Sequence, residues 1–313
     1  MEALFLKYVD DVKCVSIDTY KTMRKKHFSH LDEDFSFLNG LKTIAVLALS
    51  FPNDKPKLKN QHHAMVSRYA HGKDYHLVFK DKLEALEKEL HQHGIIAYGS
   101  VDISKLDERF AAYLAGMGFL GHNRFLIHPN YGTHLYLATM LLNTNFTTTP
   151  HLEDDCGDCR RCIEACPTEA LAVDQYFEQR CLSFLSQEKQ PIDAPYAKKF
   201  QMLFGCDICQ DVCPKNKGIT PVNRSVFKSD ENAQIHLETL LKKSNKALLK
   251  DYKDYAFAWR GISVLKRNAL WIIKNRNLKG YTALIEDTIE KYQNTPWLYQ
   301  DARKIAAFMK EKA

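Results

Sequence analysis

Eight cysteines fall between Cys156 and Cys213 of this 313-residue chain, and a ninth, Cys14, stands apart. Cys156, Cys159, Cys162 and Cys166, followed by Pro167, spell C-x2-C-x2-C-x3-C-P, a run that binds a cubane [4Fe–4S] cluster. Three thiolates two residues apart reach three irons of one cube from a single loop, and the fourth, past a short turn, serves a second cluster. The partner motif is Cys206-x2-Cys209-x3-Cys213 with Pro214, the same run without its first cysteine, and Cys181 lies 25 residues upstream to supply it. The crossed pattern predicts one cluster on Cys156, Cys159, Cys162 and Cys213 and another on Cys181, Cys206, Cys209 and Cys166. Two structural zinc sites would also use eight thiolates, but zinc has no reason for the x2-x2-x3 triplet or the trailing prolines. Thioredoxin-like chemistry needs a CxxC opening a helix after a strand, which neither pair does. Two clusters make an electron conduit and leave the acceptor unnamed. Cys14, placed in an N-terminal helix, reads as a plain buried residue.

Other residue types with chemical potential are less specific. Gly116, Gly118 and Gly121 match G-x-G-x-x-G, yet a helical stretch precedes them and an extended one follows, the reverse of a dinucleotide fingerprint. A backbone loop that admits a bulky ligand is the preferred reading. Asp102 closes the extended run IIAYGSVD (95–102), where ligands meet α/β sheets, although an acid there also serves as a helix cap or ion-pair partner. Asp74, Tyr75 and His76 open an amphipathic helix and read as structural, and His62 and His63 have no spaced third ligand.

The elements that must position these groups change texture along the chain. TIAVLALS (43–50) reads as a buried strand, and Phe79, Leu83, Leu86 and Leu90 form the apolar face of a helix over 74–93, ended by Gly94. A short helix at 107–115 and extended segments in RFLIHP and HLYLATMLL follow. The expected organisation is a mixed α/β and α+β chain: an α/β domain over 1–150, a dicluster domain over 151–226 and a helical tail over 227–313. Tail helices are expected at 233–243, 245–259, 262–274, 281–292 and 297–310. The net charge of +6 is uneven: residues 1–214 hold 24 basic and 28 acidic groups, and residues 215–313 hold 20 and 10. Basic groups interleaved with Tyr252, Tyr255, Phe257, Trp259 and Trp271 suit RNA phosphates and bases, against the plainer reading of a solvated face. Acids near the N-terminus and the lack of a long apolar run exclude a secretory leader and a membrane span, so a reducing cytoplasm, metal thiolates and a monomer are expected.

Beyond the cysteines, RYAHGKDYH (68–76), SVD (100–102), DERFAAYLAGMGFLGHN (107–123), RCLSFLSQ (180–187), GCDICQDVCPKN (205–216) and WRGISVLKRNA (259–269) resemble the epoxyqueuosine reductases, cobalamin-dependent iron–sulfur enzymes of tRNA modification. The resemblance implies a nitroreductase-like cobalamin-binding domain, a ferredoxin-like dicluster domain and a HEAT-like tail. It also implies reduction of epoxyqueuosine to queuosine at the tRNA wobble position, with electrons from a donor protein or small reductant passing through two [4Fe–4S] clusters to cobalamin. Asp102 would then be a proton donor whose pKa burial raises. Ser67, Asp102, Leu126, Leu137, Ser183, Asp207 and Ile208 would line the cobalamin, and Lys189, Arg260, Lys266, Arg267 and Asn268 would meet the anticodon stem-loop. His122-Asn123 replaces the Lys-Asn of many members, and the tail is shorter than theirs. A reductive dehalogenase-like enzyme and a non-enzymatic dicluster electron carrier are the competing functions.

Overall fold

Strand β2 (Thr43–Ser50) is the eight-residue run TIAVLALS, with every residue buried. The computed structural model describes residues 1–102, 105–146 and 154–311. Its contacts form two units, each gathered from separate stretches: Met1–Phe51, Tyr75–Cys159 and Cys213–Val222 in unit 1, and Pro52–Asp74, Arg160–Val212 and Asn223–Ala313 in unit 2. The dicluster segment therefore contributes to both, rather than standing as one consecutive body.

Unit 1 is built on a sheet of order β1-β2-β7-β4, where β1 is Asp11–Ser16, β4 Ala97–Ser100 and β7 Leu135–Leu142. All three pairings are antiparallel. A strand buried on both faces reads as a continuous apolar run whatever its neighbours' direction, so TIAVLALS alone does not reveal this α+β arrangement. Helices α1 (Glu2–Phe5), α2 (Ile17–His27), α3 (Tyr75–Gln92) and α4 (Glu108–Leu114) complete the unit. Ile44, Val46 and Ala48 share a core cluster with Phe110, Ala111 and Ala112 of α4. Helix α3 buries the predicted Phe79, Leu83, Leu86 and Leu90 and lies against β4 and β7. Cys14 sits in β1 opposite Ala45, not in a helix, because Val12, Cys14 and Val15 give the segment strand burial.

The glycine-rich loop leads from α4 into a small hairpin, β5 (Phe119–Leu120) with β6 (Leu126–Ile127). A Cβ on Gly118 would lie 2.3 Å from the Ile127 carbonyl oxygen, so the chain itself occupies the space expected for a ligand. A later strap closes the unit. Asn216 accepts from the Thr133 amide at 2.9 Å, and its Oδ1 comes so near Gly132, at φ 56°, that no side chain fits there. The Thr220 amide donates to the Asn130 carbonyl at 2.8 Å.

Unit 2 pairs strands β3 (His63–Met65) and β8 (Gln234–His236). Four one-turn helices are interspersed through the cysteine segment: α5 (Arg161–Glu164), α6 (Leu182–Leu185), α7 (Ala194–Ala197) and α8 (Ile208–Asp211). The tail supplies α9 (Leu237–Lys242), α10 (Asn245–Tyr252), α11 (Ile262–Asn275), α12 (Thr282–Lys291) and α13 (Pro296–Glu311). Helix α10 stops at Tyr252, short of the expected 259, and a tight turn at Ala256–Ala258 presents Trp259 to solvent. Helix α11 packs against α9, α10 and α13 and buries eleven of its fourteen residues. No helix among the described residues is long and apolar enough to cross a membrane.

Candidate functional site

The second predicted cysteine set falls wholly within unit 2. Cys166 follows α5, Cys181 precedes the first residue of α6, Cys206 lies just ahead of α8 and Cys209 lies inside it. Burial pushes the Cys206 thiol up to about 12 and the Cys209 thiol well above its ordinary value, and the charges of neighbouring thiols, Cys181 and Cys166 among them, add to both shifts. Thiolates gathered in a low-dielectric site repel one another unless a cation sits among them, which is what cluster irons supply. Amide donors are already in place, with the Ala170 N–H 3.3 Å from Cys166 Sγ. These residues fit a cluster.

Of the first set, Cys156, Cys159 and Cys213 belong to unit 1 and Cys162 to unit 2. Cys213 and Cys156 pack with Phe119 and Ile127, and burial followed by the Cys156 and Cys159 charges raises the Cys213 pKa. The His122 amide lies 3.4 Å from Cys156 Sγ, and its Nδ1 lies 2.9 Å from the Cys159 carbonyl, so His122 ties the glycine loop to this cysteine loop.

Also within unit 1, Asp102 stands just beyond β4 with a left-handed backbone, φ 57°, a conformation Asp tolerates better than most residues. Its carboxylate accepts from the Tyr75 hydroxyl and lies 3.1 Å from His76 Nε2. Tyr75 is held in turn by stacking on Tyr136, with ring centres 4.4 Å apart. Glu108, the first residue of α4, accepts from the Asp102 amide at 3.1 Å. Desolvation alone would raise the Asp102 pKa, as expected from its sequence context, but the His76 and Tyr75 hydrogen bonds outweigh it and the pKa is lowered. The raised carboxyl is Glu108, pushed up to about 8 by burial and by the Asp102 charge. Two adjacent carboxyls with separated pKa values are the signature of divided acid and base roles. Sequence reasoning treated Tyr75 and His76 as structural and missed Glu108, since 27 residues separate Tyr75 from Asp102 and no local pattern joins them.

The other expected cofactor contacts divide between the units. In unit 1, Leu126 is buried in the core cluster and Leu137 is half-buried. In unit 2, Ser183 and Ile208 are half-buried, and Ser67 is fully buried with its hydroxyl donating to Asp207. The Arg68 amide also reaches Asp207, at 3.2 Å, and its guanidinium reaches Asp211 at 2.5 Å. A cavity of about 320 Å³ is lined by Met65, Arg68, Leu182, Cys206, Asp207 and Ile208.

Three of the five expected RNA contacts are not on the surface. Arg267 and Asn268 are 0% exposed and Lys266 is 3% exposed. Arg267 donates to the Leu185, Glu188 and Gln190 carbonyls at 2.8 Å, and Asn268 donates to Ser186 and Leu203. Lys266 donates to the Lys243 carbonyl at 2.7 Å. Their charge and hydrogen-bonding groups hold the loop over 185–190 and the end of α9, so they meet backbone rather than phosphate. Lys189, at the tip of that loop, is exposed. Arg260 donates to the Gln187 carbonyl and its guanidinium lies 4.8 Å from the ring of Trp259, which is 64% exposed.

Known proteins place this chain. A family model for a 4Fe-4S double cluster binding domain matches residues 155–216, and one described as epoxyqueuosine reductase QueG, DUF1730, matches residues 35–102. The epoxyqueuosine reductase of Bacillus subtilis is 33% identical over 90% of this chain and 78% of its own length. That of Staphylococcus aureus is 35% identical over 75% of this chain, and there the match spans 64% of the relative, a little under two thirds. Among solved structures, epoxyqueuosine reductase from Streptococcus thermophilus superimposes with a TM-score of 0.86 at 27% identity, covering 100% of this chain and 91% of that one. An epoxyqueuosine reductase with an epoxyqueuosine-modified tRNA stem loop gives 0.82 at 26% identity, covering 99% and 97%. The chain belongs to the epoxyqueuosine reductase family.

Proposed function

We propose that this protein reduces epoxyqueuosine to queuosine at the wobble position of tRNA, drawing electrons from a small reductant or donor protein through two [4Fe–4S] clusters to cobalamin. The observation that carries this reading is the Asp102 cluster: a half-exposed carboxylate beyond a strand end, gripped by Tyr75 and His76, beside a second carboxyl of raised pKa. An electron carrier has no use for such an acid–base site, whereas removal of an epoxide oxygen requires proton delivery to that oxygen. The tRNA-bound relative and the basic tail support the substrate class. When bound, cobalamin supplies a cobalt centre able to take electrons from the clusters and deliver them to the epoxide carbons.

The half-buried Leu137, Ser183 and Ile208 fit direct contact with the corrinoid. Ser67 and Asp207, buried and joined by a hydrogen bond, would back the corrinoid site in unit 2, and buried Leu126 would do so in unit 1. Asp102 orients and protonates the leaving oxygen. On the RNA side Trp259 offers a stacking surface, Lys189 and Arg260 offer charge, and Arg267 and Asn268 fix the loop that carries Lys189.

The direct test is incubation with epoxyqueuosine-containing tRNA, cobalamin and a reductant, followed by nucleoside mass analysis for loss of one oxygen. Unchanged nucleoside from a preparation loaded with both clusters and cobalamin would remove the reading. Cys209→Ser is expected to cut bound iron to about half, with one cluster signal retained by electron paramagnetic resonance. Loss of both signals would mean that the crossed ligand sets are wrong.

A further inference from the structure

Removal of an epoxide oxygen to leave a double bond consumes two electrons and two protons. One C–O bond breaks and the oxygen takes a proton to become a hydroxyl; the second C–O bond then breaks, and the oxygen takes another proton and leaves as water. The electrons come from the reduced clusters, so the protein must still provide two protons to one oxygen atom within a turnover. Asp102 is one carboxyl group, carries at most one proton, and is held toward its ionised form by Tyr75 and His76. At neutral pH it therefore carries no proton of its own, and a protonated neighbour within a few ångströms is needed to load it.

Glu108 occupies that place. Its Oε1 is 3.1 Å from the Asp102 amide, and the Asp102 charge acts on it directly. The other ionisable groups around the pair are His76 and Tyr75 from α3, Arg109 beside Glu108 on α4, and Asp107, which is tied at 3.1 Å to Arg24 of α2. His76 and Arg109 act on the Asp102 carboxylate, while Arg24 is engaged by Asp107 and Glu33. We infer that Glu108 stores one of the two protons and passes it through Asp102 to the oxygen, while the other enters from solvent at the half-exposed Asp102 carboxylate. This rests on the epoxide-reductase reading above and extends it from one acid to a two-carboxyl relay.

Burial together with the Asp102 charge keeps Glu108 protonated up to about pH 8, so the store is full at neutral pH and empties as the pH rises past that value. The plainer alternative is that Glu108 merely fastens the Asp102 backbone. Glu108→Gln separates the two, because the amide oxygen still accepts from the Asp102 N–H but the side chain cannot carry the proton. Single-turnover conversion of an epoxyqueuosine stem-loop by the cluster- and cobalamin-loaded protein, with dithionite as reductant, is followed from about pH 6 to 9.5. The wild-type rate should fall above about pH 8. Glu108→Gln should be slower at pH 7 by roughly tenfold or more and lose that alkaline fall, and Glu108→Asp should recover part of both. An infrared difference titration, which needs no turnover, should show a protonated-carboxyl band that Glu108→Gln removes. A Glu108→Gln protein with the wild-type rate and pH profile would overturn the relay. Failure of the wild-type protein to convert the stem-loop at any pH would instead overturn the epoxide-reductase reading, leaving the infrared band to report on Glu108 alone.

Discussion

Asp102→Asn should retain both clusters yet turn over epoxyqueuosine tRNA slower by about 10²–10⁴-fold, the usual contribution of a positioned general acid. Asparagine has nearly the same shape and keeps an oxygen to accept from Tyr75, so the stacked Tyr75–Tyr136 pair and the left-handed turn at φ 57° have no reason to rearrange. The substitution removes only the group that can take a proton and pass it on. The loss should therefore be present at every pH, unlike the deficit of Glu108→Gln, which is expected at neutral pH and should narrow above about pH 8 as the wild-type rate falls. Nucleoside mass analysis gives the rate, and iron content with the visible spectrum verifies that the clusters survive. Wild-type turnover in Asp102→Asn would take the acid role away from this residue.

Arg267→Met is expected to lower the melting temperature by roughly 10 °C, the largest stability change at any of the sites considered. Methionine fills similar volume but leaves the Leu185, Glu188 and Gln190 carbonyls without their donor inside a site closed to water. Breaking one side of such a buried, charged hydrogen-bond set costs about 3–5 kcal/mol, and at this unit's size each kcal/mol moves the midpoint by about 2–4 °C. Burial pulls the Arg267 pKa down to about 10, which still leaves the guanidinium charged at neutral pH. Thermal unfolding of the cluster-loaded protein measures the effect. A variant that melted like wild type but had lost stem-loop affinity would return Arg267 to the RNA surface.

These two sites mark where sequence reading reaches and where it stops. Cysteine spacing is legible because ligand geometry around a cluster is local: a loop of three thiolates is written in consecutive residues. The burial of β2 and the apolar face of α3 are legible because their periods of apolar residues survive in any context. Direction of pairing in the sheet is not, since a fully buried strand looks the same with parallel or antiparallel neighbours. Charge and family resemblance both point to RNA contacts at α11, yet Lys266, Arg267 and Asn268 are buried there. The signal was present in ISVLKRNALWII, whose apolar residues surround the polar triplet on every side, as in a helix buried all round. The Asp102 cluster joins residues from the start of α3, the end of β4 and the start of α4, so Glu108 becomes visible only once the chain is folded.

The strap over residues 213–222 has a consequence for how the protein is made. Asn216 seals the Gly132–Thr133 turn of unit 1, yet it is synthesised more than eighty residues later. At about 5–20 residues per second this is a delay of roughly 4–17 s, during which the Gly132–Thr133 turn lacks its seal while residues 160–212 of unit 2 are made. Cys166 likewise waits some forty residues for Cys206 and Cys209. Neither four-cysteine set is complete until translation has passed Cys209 for one and Cys213 for the other, by which point about two thirds of the chain has been made. A nascent chain stalled before Cys209 would hold two incomplete thiol sets and no completed unit.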